Sequence, residues 1–153
     1  MSSGPITELI LESFRLNGCL LAAGDALVKD LGLTSARWQV LGAAALAPAP
    51  APVAHLARDM GLSRQNVQRI ANELEAAGLL TFAPNPNHQR AKLVLLTEYG
   101  RAVYAKAAAR QAPWAATLSK GVPDDAIEGA TSLLRNLRRR LEAQQPTPRR
   151  SPA

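Results

Sequence analysis

A chain of 153 residues, 47% of them hydrophobic, is sized for one domain with a proper core. Its 18 basic against 12 acidic side chains give a formal charge of +6, which favours polyanionic partners without choosing between DNA, RNA and acidic membranes. One cysteine excludes an internal disulfide, and the lack of a long apolar run or a signal-type start leads us to expect a soluble, cytoplasmic protein.

The first helix is expected from Ile6 to about Asp30. Ile6, Leu9, Ile10, Leu11, Phe14, Leu20, Leu21, Leu27 and Val28 recur at helical spacings, more apolar positions than one face against one small core requires. Cys19 lies among Leu20, Leu21 and Ala22, which favours a buried, inert thiol. Arg15, one turn away, is the kind of cation that favours a thiolate, so a redox-responsive cysteine stands as the alternative. A second helix is expected from about Ser35 to Leu46. The eleven prolines cluster outside the helices, and Pro48, Pro50 and Pro52 read as a stiff connector.

Val53, Leu56, Ala57 and Met60 then stand at i, i+3, i+4 and i+7, one apolar helical face. Gly61 stops that helix, because glycine enters the left-handed region without penalty. Leu62 is expected to plug the corner, and Ser63 to cap the next helix. That helix runs to about Ala77, with Val67, Ile70, Ala71 and Leu74 inward, and Gly78 ends it. Its outward face carries Arg64, Gln65, Gln68, Arg69 and Asn72, with Asn66 beside them, side chains able to bond base edges or phosphates. Arg64 and Arg69 lie in its first half and Glu73 and Glu75 in its second. A helix entering the major groove by its N-terminal end would have that order. A merely solvated polar face is the competing reading, which the preceding helix-and-turn weakens.

Two short apolar runs, 79–83 and 91–97, suit strands. Between them Pro84-Asn85-Pro86-Asn87-His88-Gln89-Arg90 is rich in turn formers. A loop arginine beside a helix-turn-helix can reach the minor groove, so Arg90 is a candidate there and Lys92 a phosphate contact. His88 can donate to a phosphate or brace the loop, and a merely exposed loop histidine is an equal alternative. A further helix is expected from Thr97 or Glu98 to about Leu118, holding Val103, Tyr104, Ala107, Ala108 and Trp114. The last, from about Pro123 to Ala143, spaces Ile127, Ala130, Leu134, Leu137 and Leu141 as a short heptad stripe. Asp124 and Asp125 suit the start of that helix by capping and charge. Arg135, Arg138, Arg139 and Arg140 read as its solvated face rather than a DNA contact. Pro146, Pro148 and Pro152 mark a frayed tail, where Arg149 and Arg150 can add weak attraction for phosphate.

The stretch Gly32 to Leu41, then Leu56-Ala57, Gly61-Leu62-Ser63, Gly78-Leu79 and Arg90 to Gly100, resembles the multiple-antibiotic-resistance regulator (MarR) family over about residues 6 to 143. The resemblance implies a mainly α fold with a small β-wing, a winged helix-turn-helix flanked by N- and C-terminal dimerisation helices. It divides the chain at 1–33, 34–97, 98–143 and a disordered tail, 144–153. One departure stands out. The family's wing usually carries an Asp-x-Arg-type signature, and here His88 stands at the aspartate and Gln89 at the first of two usual arginines. The family's aspartate–arginine brace therefore does not carry over, and Arg90 inherits the DNA-contacting role alone.

The function so implied is a transcriptional regulator, a ligand-responsive repressor acting as a homodimer on a pseudo-palindromic site in double-stranded DNA. Ser63, Arg64, Gln65, Asn66, Gln68, Arg69, His88, Arg90 and Lys92 are its expected DNA-binding residues. A phenolic or other aromatic effector would sit among Phe14, Asn17, Arg37, Trp38 and Tyr104, with Arg37 able to pair a carboxylate. A core role for Trp38 and Phe14, and a surface ion pair for Arg37, are at least equal alternatives. A winged helix used only for protein interaction, and a thiol switch through Cys19, are the other readings. Catalysis is not expected: His55 and His88 have no metal-ligand spacing with Cys19, and neither a Gly-rich phosphate loop nor a nucleophile elbow occurs. No cofactor, metal or membrane contact is expected.

Overall fold

The computed structural model describes residues 4–145, so the expectations for Pro146, Pro148, Arg149, Arg150 and Pro152 fall outside the described residues. The elements, in chain order, are α1 (Pro5–Val28), a 3-10 turn (Lys29–Leu31), α2 (Ser35–Leu46), β1 (Ala51–Pro52), α3 (Val53–Met60) and α4 (Arg64–Ala76). There follow β2 (Leu80–Ala83), β3 (Leu93–Leu96), α5 (Glu98–Leu118) and α6 (Asp124–Gln144). They form two compact units, one ending at Pro113 and the other beginning at Trp114. No helix among the described residues is long and apolar enough to cross a membrane.

The first unit is organised around α4. Val67, Ile70, Ala71 and Leu74 are all buried, and burial of each larger one is worth roughly 1.5–3 kcal/mol. They pack with Leu56 and Ala57 of α3, Val40 and Leu41 of α2, Val28 at the end of α1, and Leu80 and Val94 of the sheet. The start of α2 is stitched to α1. The Ser35 hydroxyl donates to the Leu21 carbonyl at 2.6 Å, and the Ser35 N–H donates to Asp25 Oδ1 at 2.6 Å. Thr34, the N-cap, accepts from the Arg37 N–H at 3.2 Å, so two free helix N–H groups find partners from different elements.

The sheet is antiparallel in the order β1-β3-β2. Strands β2 and β3 are the two expected runs, trimmed by one to two residues at their ends. The third strand was not expected. The proline-rich connector pairs Ala51 with Val94 and Pro52 with Leu93. An edge strand tolerates proline because one side of its ladder needs no donor.

Three further expectations are corrected. Leu62 does not plug the corner after α3: its side chain is 40% exposed, while its N–H donates to the Ala57 carbonyl at 2.9 Å. The prolines do not all lie outside helices, since Pro113 is inside α5. Pro123, not an aspartate, is the N-cap of α6, and Asp124 and Asp125 lie in its first turn. The acids favour the positive end of the helix dipole, and Asp125 Oδ1 also accepts from the Ala126 N–H at 3.0 Å.

The apolar stripes of α1 and α6 are left open. On α1, Ile6, Ile10, Leu11, Phe14, Leu16, Leu20 and Leu21 are exposed; on α6, Ile127, Leu133, Leu134 and Leu141 are. Cys19, expected to be buried among the first set, is exposed too. Its neighbouring cation is engaged elsewhere, Arg15 pairing with Glu12 at 3.2 Å.

Candidate nucleic-acid interface

Helix α3 ends where Gly61 takes φ 67° and donates to the Arg58 carbonyl at 3.2 Å. The chain then turns through an extended Ser63, whose hydroxyl accepts from the Asn66 N–H at 3.2 Å and caps α4. At the far end Gly78, at φ 79°, closes α4 with a Leu79 N–H to Leu74 carbonyl bond of 2.9 Å. The apolar stripe of α4 is thereby pinned inward, which leaves its polar rows outward.

The wing is fixed at its root and at its tip. At the root, the Thr97 hydroxyl donates to the Gly78 carbonyl at 2.6 Å and accepts from the Gly100 N–H at 2.9 Å. At the tip, Asn85 Oδ1 accepts from the Asn87 N–H at 3.0 Å, and His88 Nδ1 accepts from the Ala91 N–H at 3.2 Å. His88 is exposed, and its Nδ1 contact is of the kind that braces the loop.

Between α4 and the wing lies an open cleft of about 860 Å³, lined by Arg64, Gln65, Gln68, Asn72, Glu75, Phe82, His88, Arg90 and Lys92, with Pro52–Ala54 at its margin. Six of the nine expected DNA-binding residues thus share one concavity. Among the described residues Arg64, Arg90 and Lys92 have no ion-pair partner, so three cations against the one carboxylate of Glu75 leave the cleft lining net positive. Gln68 Nε2 donates to Asn72 Oδ1 at 2.9 Å, which orders two amides on the cleft wall. Asn72 was read as an outward side chain able to bond bases but not counted among the DNA-binding residues, Glu75 was read only as an acid of the helix's second half, and Phe82 only as part of a strand. Helical stepping links Asn72 and Glu75 to the rest, since Asn72 lies four residues on from Gln68 and Glu75 three on from Asn72.

Ser63, Asn66 and Arg69 do not line the cleft. Ser63 serves as the cap. Arg69 lies on the adjacent row of α4, where its guanidinium donates to Glu73 Oε1 at 3.0 Å and to Asn66 Oδ1 at 2.8 Å.

The five expected effector residues are not gathered in one cavity. Phe14 and Asn17 are exposed on α1, and Trp38 is half-buried against the core. Arg37 donates from Nε to Glu73 Oε2 at 3.2 Å, the ion-pair role named as its alternative. Tyr104 lines an open groove of about 360 Å³ with Ala44, Pro48, Pro50, Leu96 and Arg101, which includes none of the other four. No group of three or more potential metal ligands occurs among the described residues.

Comparison with known proteins agrees with this fold. A sequence model described as the MarR family matches residues 31–91. The uncharacterized protein Rv2011c of Mycobacterium tuberculosis is 34% identical over 144 residues, covering 94% of this chain and 99% of that one. The transcriptional activatory protein BadR of Rhodopseudomonas palustris is 36% identical over 97 residues, 60% of this chain and 55% of that one. Among solved structures, CouR from Rhodococcus jostii RHA1 bound to p-coumaroyl-CoA superposes with a TM-score of 0.76 at 26% identity, covering 88% and 92% of the two chains. The Mycobacterium tuberculosis regulator MOSR in complex with DNA gives 0.75 at 23% identity, covering 90% and 98%. The chain belongs to the MarR family of winged-helix transcription regulators, which are not enzymes.

Proposed function

We propose that this regulator reads double-stranded DNA as a homodimer, each subunit placing the N-terminal half of α4 in a major groove and the wing over the neighbouring backbone. The observation that carries the reading is the cleft in which Arg64, Gln65 and Gln68 of α4 face Arg90 and Lys92 of the wing. Amide and guanidinium groups on a helix suit base edges, whereas mobile cations on a loop suit phosphates and the minor groove. The uncovered apolar faces of α1 and α6 support a second copy. Two-fold symmetry would then match an inverted repeat with half-sites about 34 Å apart.

Selection of bound sequences from a random duplex pool tests this directly and should return an inverted repeat. Gln65→Ala should then relax the preference at one position per half-site, by about 1–3 kcal/mol. Arg90→Ala should weaken binding to every duplex alike and flatten its dependence on salt. A pool that yields no common sequence, or binding indifferent to salt, would favour a protein-interaction module instead.

Repression relieved by a small aromatic ligand is the regulatory form of this proposal. CouR's bound p-coumaroyl-CoA lends it support, and Tyr104 is the expected effector residue that lines a groove. A hundredfold loss of DNA affinity on ligand binding needs about 2.7 kcal/mol of coupling, well within the range of allosteric proteins.

A further inference from the structure

Glu73 occupies a position that neither its exposure nor its place in the second half of α4 would suggest. Its two carboxylate oxygens are held by two different arginines: Oε2 by Arg37 of α2 at 3.2 Å, and Oε1 by Arg69 of its own helix at 3.0 Å. Arg69 is held at a second point, Asn66 Oδ1 at 2.8 Å. Asn66, Arg69 and Glu73 stand at i, i+3 and i+7, so the three form one continuous row beside the row that lines the cleft. An isolated pair at such exposure contributes little, because ordering two long side chains offsets the Coulomb gain. Here the Glu73 carboxylate is ordered once, by Arg37, and the second contact costs correspondingly less.

We infer that Glu73 is a positioning residue for DNA reading, holding the Arg69 guanidinium in one orientation on the outer flank of α4 and thereby sharpening its choice of base. The inference rests on the DNA-reading proposal above. A guanidinium has five N–H donors in a planar fork, and the contacts to Glu73 and Asn66 use two. Three remain, with one N–H on each terminal nitrogen, enough for a bidentate contact to the acceptors of a guanine. Arg37 is thus the anchor of a relay: α2 fixes Glu73, and Glu73 fixes Arg69. Without the carboxylate, Arg69 samples several rotamers and must be ordered at the moment of binding, which weakens the correct contact more than a non-specific one. Removing the carboxylate also deletes a negative charge from the DNA-facing helix, which strengthens attraction to any phosphate backbone. Specific preference and non-specific affinity therefore move in opposite directions, a signature that simple unfolding or a lost charge cannot produce.

The test uses the full chain. Sites are selected with the wild type, and affinities are measured for the selected duplex, for single base-pair variants of it, and for a random duplex. Arg69→Ala should erase the preference at one base pair of each half-site. Glu73→Gln and Arg37→Met should each reduce that same preference by about two- to tenfold. Glu73→Gln should also raise affinity for the random duplex, whereas Arg37→Met should not, and Arg37→Lys should restore much of the preference. In an Arg69→Ala background, Glu73→Gln should leave the selectivity at that base pair unchanged. If Arg69→Ala erases the preference but both Glu73→Gln and Arg37→Met retain it, the relay is wrong and DNA reading stands. If Arg69→Ala changes no position, Glu73 has nothing to position, and the inference falls together with the assignment of Arg69. A wild type that binds no duplex overturns the DNA-reading proposal itself. Arg37→Met acts from α2, so the question remains answerable should a change within α4 lower folded content.

Discussion

Two glycines in this chain illustrate how differently the same substitution is tolerated. A Cβ on Gly100 would stand 1.9 Å from the Leu79 carbonyl oxygen and 3.2 Å from Leu79 Cα, both backbone atoms at the root of the wing. The carbonyl cannot retreat, because it already accepts from the Thr97 N–H at 3.1 Å. A Cβ on Gly24 would meet the Ser35 hydroxyl at 2.2 Å, the tip of a side chain that can rotate away at the cost of its bond to Leu21. Gly100→Ala should therefore destabilise the protein by about 1–3 kcal/mol or more, and Gly24→Ala by less, nearer the worth of one hydrogen bond. Urea unfolding of the two variants checks the order, and a Gly24 variant that is the less stable of the two would contradict it. The sequence marks the roles of Gly61 and Gly78 but not those of Gly24 and Gly100. The former two were legible as helix stops because each follows an apolar period that ends abruptly. The role of Gly100 depends on where α5 passes a carbonyl twenty-one residues earlier, which no local pattern records.

Among elements, those with a strong period were readable and those defined by a partner were not. The apolar steps of α3 and α4, the Gly61 turn and the Ser63 cap place the helix-turn-helix without reference to anything distant. Strand β1 is the opposite case: Ala51 and Pro52 have no strand character of their own and become a strand only because Val94 and Leu93 lie alongside. The same division runs through the site. Cleft residues on the outward row of α4 were legible, whereas the pairing of Arg37 with Glu73 spans 36 residues and two helices. The clamp between Asp30 and Arg110 is another such long-range tie. It joins the turn after α1 to α5 through two carboxylate contacts, one of 2.8 Å between Nη2 and Oδ2, and through Arg110 Nη1 to the Leu27 carbonyl at 3.0 Å. The hydrogen bond from Arg110 holds the Asp30 carboxyl below its ordinary value of 3.8. A carboxylate with a depressed native pKa stabilises the fold above its unfolded value, and that contribution disappears as pH falls through the native one. The stability difference between wild type and Asp30→Asn should accordingly be constant near neutrality and shrink once pH drops below about 3.8. Denaturation curves at pH 7, 5, 4 and 3 measure it. A difference that stays flat across that series would show that the clamp carries no charge-dependent stability. The partner arginine, whose pKa is raised from an already high value, adds no dependence in this range.

At the scale of the molecule, the distribution of exposed apolar surface sets the strongest demand. In α1, Phe14 is 70% exposed and Ile6 51%, and in α6 Leu141 is 62% exposed. Single exposed apolar residues require no explanation, but runs of them along two helices at helical spacing do. A second copy is the economical cover, since it removes the same faces twice and generates the two-fold axis an inverted repeat requires. Phe14→Asp separates association from folding. In one chain the side chain contacts mostly water, so the substitution should leave helical content and the thermal unfolding of a single subunit largely intact. In a dimer it would bury two unpaired carboxylates, a penalty of several kcal/mol that solvent-exposed positions do not incur. Light scattering should find twice the chain mass for the wild type and the chain mass for the variant. DNA binding should weaken in a particular way, because one subunit neutralises half the phosphates: the slope of log affinity against log salt should fall by about half. If Phe14→Asp remains dimeric, the first helix is not where the copies meet. If the wild type itself is monomeric yet reads a single half-site, the uncovered faces answer to some other partner, and the inverted-repeat geometry loses its physical basis.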